Sequence, residues 1–319
     1  MLQAKLVAVA AAVLVTVVMS LHWVSAAVLS TPAAKRNIDS LAALLAAPEK
    51  HLANLDIARM NLLCSAELPG SDPVNIERSL GQLDDWAKRV RAETERHLYR
   101  FRKSPGEFER SEGFFRMVML GVVLSEDFQV KYDPARRGSL ESASDGDGFF
   151  RDASKVFLNG LLGSSRQGTC SSLPVLYAAV GRRLGYPLKL VTTKGHLFVR
   201  WDGEGERFNI EVTGQGINRF DDDYYRRWPS RISEEEIIAE GYLKTLSPAE
   251  ELAVFLSIRG LCWREAGNIG EAIKCFNDAT RLAPNCRGYR TIAEALQKSQ
   301  KSDQSTDLTA STRSTKGNP

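Results

Sequence analysis

The spacing of apolar residues changes period twice along this chain, and that constrains the fold more than any single motif. Through Leu80, Leu83, Trp86, Val90 and Leu98, apolar side chains recur every three or four residues, as on one face of a helix. Between Leu188 and Thr213 the period drops to two. Runs 188–193, 196–201 and 208–213 alternate in polarity and are separated by glycine-bearing turns, the pattern of an antiparallel meander. Past Ala253 the helical period returns. Helices, then one helix against a meander, then helices again describe an α+β protein.

The 319 residues are 43% hydrophobic and 25% charged, enough apolar material for a sizeable core. Lys and Arg number 42 against 39 Asp and Glu, for a formal net charge of +3. With no clustered basic stripe, no nucleic-acid partner is expected. The pattern divides the chain into a leader (1–26), a helical N-terminal region (28–145), an α+β core (146–246), a second helical segment (247–298) and a tail (299–319). Turn chemistry at 69–73 interrupts the first helices, 114–123 is a further apolar helix, and Tyr132 to Gly148 is a polar connection. The tail, rich in Ser, Thr, Lys, Gln and Asp, is expected to be disordered.

The leader predicts export. No Lys, Arg, Asp or Glu occurs between Lys5 and Lys35, and Val24-Ser25-Ala26 offers the small residues of a secretory cleavage site after Ala26. The uncharged run is also longer than the ~20 residues that span a bilayer, so a retained membrane tether is the alternative. In the C-terminal segment, Leu256, Gly260, Trp263, Gly267, Ala272, Phe276, Ala279 and Pro284 fall where a tetratricopeptide repeat places its large, small and helix-ending residues. A single repeat cannot cover its own apolar face, so this hairpin is expected to pack on the rest of the protein, with 289–296 as a capping helix and a surface for a protein partner.

Five cysteines stand at 64, 170, 262, 275 and 286, an odd number, without a Cys-x-x-Cys pair and beside only four His. No metal site and no cofactor are expected from them. Asp221-Asp222-Asp223 lacks the spaced ligands of a calcium loop and reads as a salt-bridged surface turn. Cys170 differs from the other cysteines. In Gln167-Gly168-Thr169-Cys170-Ser171-Ser172 a loop becomes a helix, with Pro174 in the first turn and Gly185 and Pro187 at its end. There a thiol meets the unpaired N–H groups and positive end of the helix, which favour thiolate.

A two-residue turn at Gly203-Glu204 would set His196 opposite Glu211, with Leu197 across from Ile210 and Val199 across from Phe208 on the other face. Moving the turn by one residue shifts the pairing by two and keeps His196 and Glu211 on one face. Cys170, His196 and Glu211 then have the chemistry of nucleophile, general base and the acid that orients the base. The bland alternative is a buried cysteine beside a structural cross-strand pair.

These residues resemble the transglutaminase-like superfamily. Gly168-x-Cys170, Gly195-His196-x-Phe198-Val199 and Phe208-Asn209-Ile210-Glu211-Val212-Thr213 are similar to its three motif blocks, in order. Tyr132-Asp133-Pro134, Phe157-Leu158-Asn159 and Leu173-x-x-Leu176-Tyr177 resemble a bacterial subgroup with helices before the core and a tetratricopeptide segment after it. The resemblance implies a papain-like core and acyl transfer from an amide or peptide bond through a thioester, to water or to an amine. Its catalytic residues would be Cys170, His196 and Glu211, with Glu where the superfamily more often has Asp. The Cys170 backbone N–H and Gln167 are candidate oxyanion donors. The expected function is therefore an exported or tethered thiol enzyme acting on a protein or peptide, and the competing one is an inactive fold of the same class used for peptide recognition.

Overall fold

The computed structural model describes residues 38–71, 74–136, 148–203, 205–214 and 216–314, with side chains as far as 302. The chain divides into Met1–Asp39 and Ser40–Pro319, and the architecture below is that of the second unit. The leader and its expected cleavage after Ala26 lie outside the described residues, as do Asp72 and Pro73 of the first turn and 137–147 of the polar connection. Among the described residues no helix is long and apolar enough to cross a membrane.

Five helices come first: α1 (Leu41–Leu45), α2 (Glu49–Leu52), α3 (Ile57–Ser65), α4 (Ile76–Lys103) and α5 (Glu112–Val122). Asn75 caps α4 by accepting the Arg78 N–H at 3.0 Å, and only the stripe including Leu83, Trp86, Ala87 and Val90 is buried. Helix α3 is instead buried at every position, because it packs against α4 and three later helices. A short parallel pair follows, β1 (Lys131–Tyr132) against β2 (Gln167–Gly168), with α6 (Ala153–Val156) and α7 (Leu158–Leu162) between them.

The centre of the fold is α8 (Leu173–Arg183), buried from Leu173 through Gly181. It packs against α3, α4 and α5 and also against two strands of the main sheet, which explains why Leu-Pro-Val-Leu-Tyr-Ala-Ala-Val-Gly has no polar face. At Gly181 a Cβ would stand 2.2 Å from Leu188 Cδ1, so only glycine allows this helix-to-strand approach. The sheet is antiparallel, in the order β3 (Leu188–Thr193), β4 (His196–Gly203), β5 (Glu206–Glu211), β6 (Asn218–Phe220). One face carries Phe198 stacked on Tyr225 at 3.7 Å, within a cluster of Val191, Ile232 and Leu243 that α9 (Asp222–Tyr225) and α10 (Glu234–Glu240) help to build.

The hairpin register differs from the expected one by two. Val199 pairs with Ile210, Trp201 with Phe208 and Gly203 with Glu206. The strands turn one residue later than at Gly203-Glu204, where Gly205 takes the left-handed conformation at φ 77°; Glu204 itself lies outside the described residues. Val199 and Phe208 exchange partners, but the apolar residues still share one face because the slip is an even number.

Beyond the sheet, α11 (Pro248–Glu265) and α12 (Ile269–Leu282) form a hairpin turning at Gly267, φ 77°. A Cβ on Gly260 would stand 2.9 Å from the Phe276 ring, so the two helices meet through a small residue facing a large one. The hairpin is built into the unit: α11 packs on α2, α3 and α6, and Arg182 of α8 grips the buried Glu251 with both guanidinium nitrogens. Helix α13 (Arg287–Ser314) runs past Lys298, into the segment expected to be disordered; no proline and no glycine interrupts residues 289–314.

Candidate active site

The chain is pinned at Gly168 before it reaches Cys170. Its carbonyl accepts the Asp133 N–H at 2.8 Å across the β1–β2 pair, and a Cβ would stand 2.6 Å from Ser172 Oγ and 2.9 Å from Leu161. The chain then turns into α8. Leu173 N–H bonds the Thr169 carbonyl at 3.0 Å, so helical bonding starts one turn ahead of the helix and Cys170 sits inside that turn. The hydroxyls of Thr169 and Ser172 both donate to the Lys155 carbonyl, at 3.2 and 2.9 Å, fixing the turn against α6. Cys170 is 3% exposed.

His196 opens β4 and Glu211 closes β5. They are diagonal neighbours, not directly opposed, and diagonal positions on one face remain within reach of long side chains. His196 Nε2–H donates to Glu211 Oε2 at 2.7 Å. The second carboxylate oxygen accepts the Thr213 backbone N–H at 2.8 Å and the Thr213 hydroxyl, while the Tyr225 O–H reaches Oε2 at 3.3 Å. Every acceptor site of a buried carboxylate is thereby used.

Burial alone would push the His196 pKa down. The Glu211 charge, with hydrogen bonding to Cys170 and Glu211, outweighs it and raises the imidazole to about 9, so imidazolium is the neutral-pH form. For Glu211, burial pushes upward, but the His196 charge and the bonds from His196 and Thr213 hold the carboxyl below its ordinary range. Nδ1 of His196 is buried without a fully formed hydrogen bond, although the Cys170 thiol is near enough to raise the ring's pKa. Ring and thiol are thus adjacent, with Nε2 committed to Glu211 and Nδ1 left for Cys170. Trp228, half-buried, meets the ring edge-on at 4.7 Å.

The three residues expected from the sequence are therefore neighbours. Gln167 stands beside them with its amide oxygen accepting from Lys155 Nζ at 2.9 Å. The tyrosines Tyr132 and Tyr225, together with Thr213 and Trp228, complete the surroundings. Thr213 had a signal, two residues beyond the acid on the same strand-like run; Tyr225 and Trp228 are brought in by a return of the chain that no local pattern announces. Asp221 caps α9 through the Tyr224 N–H at 2.8 Å, Asp222 pairs with the buried Arg200 and Asp223 with Arg226 at 3.6 Å, so all three consecutive acids have partners. Among the described residues no group of three His, Cys, Asp or Glu side chains is disposed to hold a metal ion.

Residues 141–256, which carry Cys170, His196 and Glu211, match the family model of the transglutaminase-like superfamily. This segment is a transglutaminase-like domain. Neither a search of curated proteins nor one of solved structures returned a match to the chain. The domain takes in α6 to α10, the whole main sheet and the first half of α11, and leaves β1 with Tyr132 ahead of it.

Proposed function

We propose that this protein is a thiol acyl-transfer enzyme acting on an amide or peptide bond, with Cys170 as nucleophile, His196 as base and acid, and Glu211 as the residue that orients and charges the imidazole. One observation carries the reading: an imidazole held at Nε2 by a fully bonded carboxylate presents Nδ1 to a thiol at a helix start. Sγ, its proton carried on Nδ1 of the imidazolium, attacks the carbonyl carbon, and the oxyanion collapses as the C–N bond breaks. His196 returns the proton to the departing amine. Water or a second amine then attacks the thioester and regenerates the thiol. The core is read as papain-like and α11–α12 as a tetratricopeptide-like hairpin offering a surface to a protein partner. The leader is read as an export signal or a tether, which places a protein or peptide substrate outside the cytoplasm.

The burial of Cys170 favours a second reading, an inactive transglutaminase-like fold that recognises peptides. Iodoacetamide labelling of Cys170, followed against pH in wild type and His196→Ala, separates the two. An enzyme shows labelling persisting near pH 6 that His196→Ala lowers by about a hundredfold. Equal labelling in both proteins leaves the recognition module in front.

A further inference from the structure

Tyr132 carries an unused group into the centre of the site. Its ring is 6% exposed and its hydroxyl oxygen is buried without a fully formed hydrogen bond. A buried phenol normally finds a partner, since leaving the group unmade costs about 1–3 kcal/mol. The strand pairing explains where it points its chemistry: Tyr132 is paired with Gly168, and the flanking bonds from Lys131 N–H to the Arg166 carbonyl (3.0 Å) and from Asp133 N–H to the Gly168 carbonyl (2.8 Å) hold it there. The pairing sets Tyr132 against the residue two before Cys170, and the Cys170 backbone N–H, its sulfur and Glu211 all act on the phenol.

A buried phenol beside the backbone N–H of a nucleophilic cysteine flanks the region where the oxygen of a tetrahedral intermediate must sit. We propose that Tyr132 is a catalytic residue, its O–H forming with the Cys170 N–H the two-donor oxyanion hole of the acyl-transfer step. When Sγ bonds to the carbonyl carbon, the C=O electron pair moves onto oxygen. The resulting O⁻ accepts from Cys170 N–H and Tyr132 O–H, and the pair returns when the C–N bond breaks. The amide oxygen of Gln167 accepts from Lys155, which also lies 3.4 Å from Asp133. Burial and neighbouring negative charge raise the Tyr132 pKa, so the O–H stays available as a donor through the neutral range.

The inference rests on the acyl-transfer reading, and two probes separate their fates. Iodoacetamide reacts with a thiolate by displacement and forms no oxyanion, whereas p-nitrophenyl acetate acylates through one. Tyr132→Phe keeps the ring and removes the donor. It should slow acylation of Cys170 by about a hundredfold while changing alkylation by less than about twofold, with an unchanged melting temperature. Equal loss with both probes would show a packing role, and no loss with either would show an idle hydroxyl; each overturns the assignment. A wild-type Cys170 that neither probe modifies overturns the enzyme reading and this one with it. Tyr132→Phe that fails only in acylation, in a protein whose alkylation still depends on His196, is the outcome the oxyanion hole requires.

Discussion

Two regions of this molecule bury cysteines to nearly the same extent and prepare them for opposite fates. Where α3 meets α11 and α12, Cys64, Cys262 and Cys275 gather around Arg259, which donates to the Cys64 and Ala66 carbonyls at 2.9 and 2.6 Å. Burial raises all three thiols, Cys262 to about 12 and Cys275 to about 11, and the nearby guanidinium only reduces the rise. At the head of α8, Cys170 is just as enclosed, but beside it stands the His196 ring, whose Nδ1 has no fully formed bond. A cation bound elsewhere does not make a buried thiol reactive. A base able to receive its proton does.

The largest expected effect tests that contrast from both sides. Cys170→Ser should lower acyl transfer by about a thousandfold or more, some 4 kcal/mol in the barrier, without moving the urea midpoint. Cys64→Ser should do the reverse. A hydroxyl in that apolar site costs about 1–3 kcal/mol of stability and leaves labelling at Cys170 unchanged. If Cys64→Ser also silenced Cys170, the two regions would not be independent and the contrast would fail.

A smaller effect is expected at Glu211, which acts only through His196. Glu211→Gln keeps the shape and removes the charge that opposes burial, so the His196 midpoint should fall from about 9 to its ordinary 6.5 or lower, as read by proton NMR titration of the ring. Labelling near pH 6 should drop about tenfold, less than for His196→Ala. Stability follows with a definite sign. A raised His pKa contributes stability that is complete below 6.5 and lost as pH climbs through about 9. A lowered Glu pKa contributes stability present above 4.5 and lost as pH falls through its depressed value. The stability difference between wild type and Glu211→Gln should therefore be greatest between about pH 4.5 and 6.5 and shrink toward pH 9. A difference that grew from pH 7 to 9 would mean the pair is not ionised as described.

The α+β class, the helix behind Cys170 and the strands bearing His196 and Glu211 were legible because each has a strong local period or a clear stop signal. β3 begins and ends where its alternation does, at Leu188 and Thr193, and Pro174 and Gly185 bracket α8 closely. Shared facing was also legible, since the slip of register was even. What stayed hidden depends on long returns of the chain. β1 and β2 are two residues each, too short for any period, yet their pairing delivers Tyr132 to the nucleophile. Tyr225 and Trp228 reach His196 from α9 and the turn after it, whose sequence, acids followed by aromatics, looks like surface. Helix α13 has a polar composition that argues against a core, and nothing in 289–314 breaks a helix.

The smallest effect concerns the turn. Asp202-Gly203-Glu204-Gly205-Glu206 offers two glycines, and sequence preference alone does not choose between turns that use the first or the second. Structure separates them by different physics. A Cβ at Gly203 would meet the Pro187 ring at 2.7 Å, so this glycine is needed for packing, while at Gly205 nothing lies within 4 Å and only the left-handed φ of 77° demands glycine. Gly205→Ala should accordingly cost about 1 kcal/mol from backbone strain, measured by urea denaturation, with no change in the labelling of Cys170. Because Gly205 lies at the far end of the hairpin from His196 and Glu211, a change in labelling would mean that strain at the turn alters the register, and with it the diagonal reach that joins base to acid.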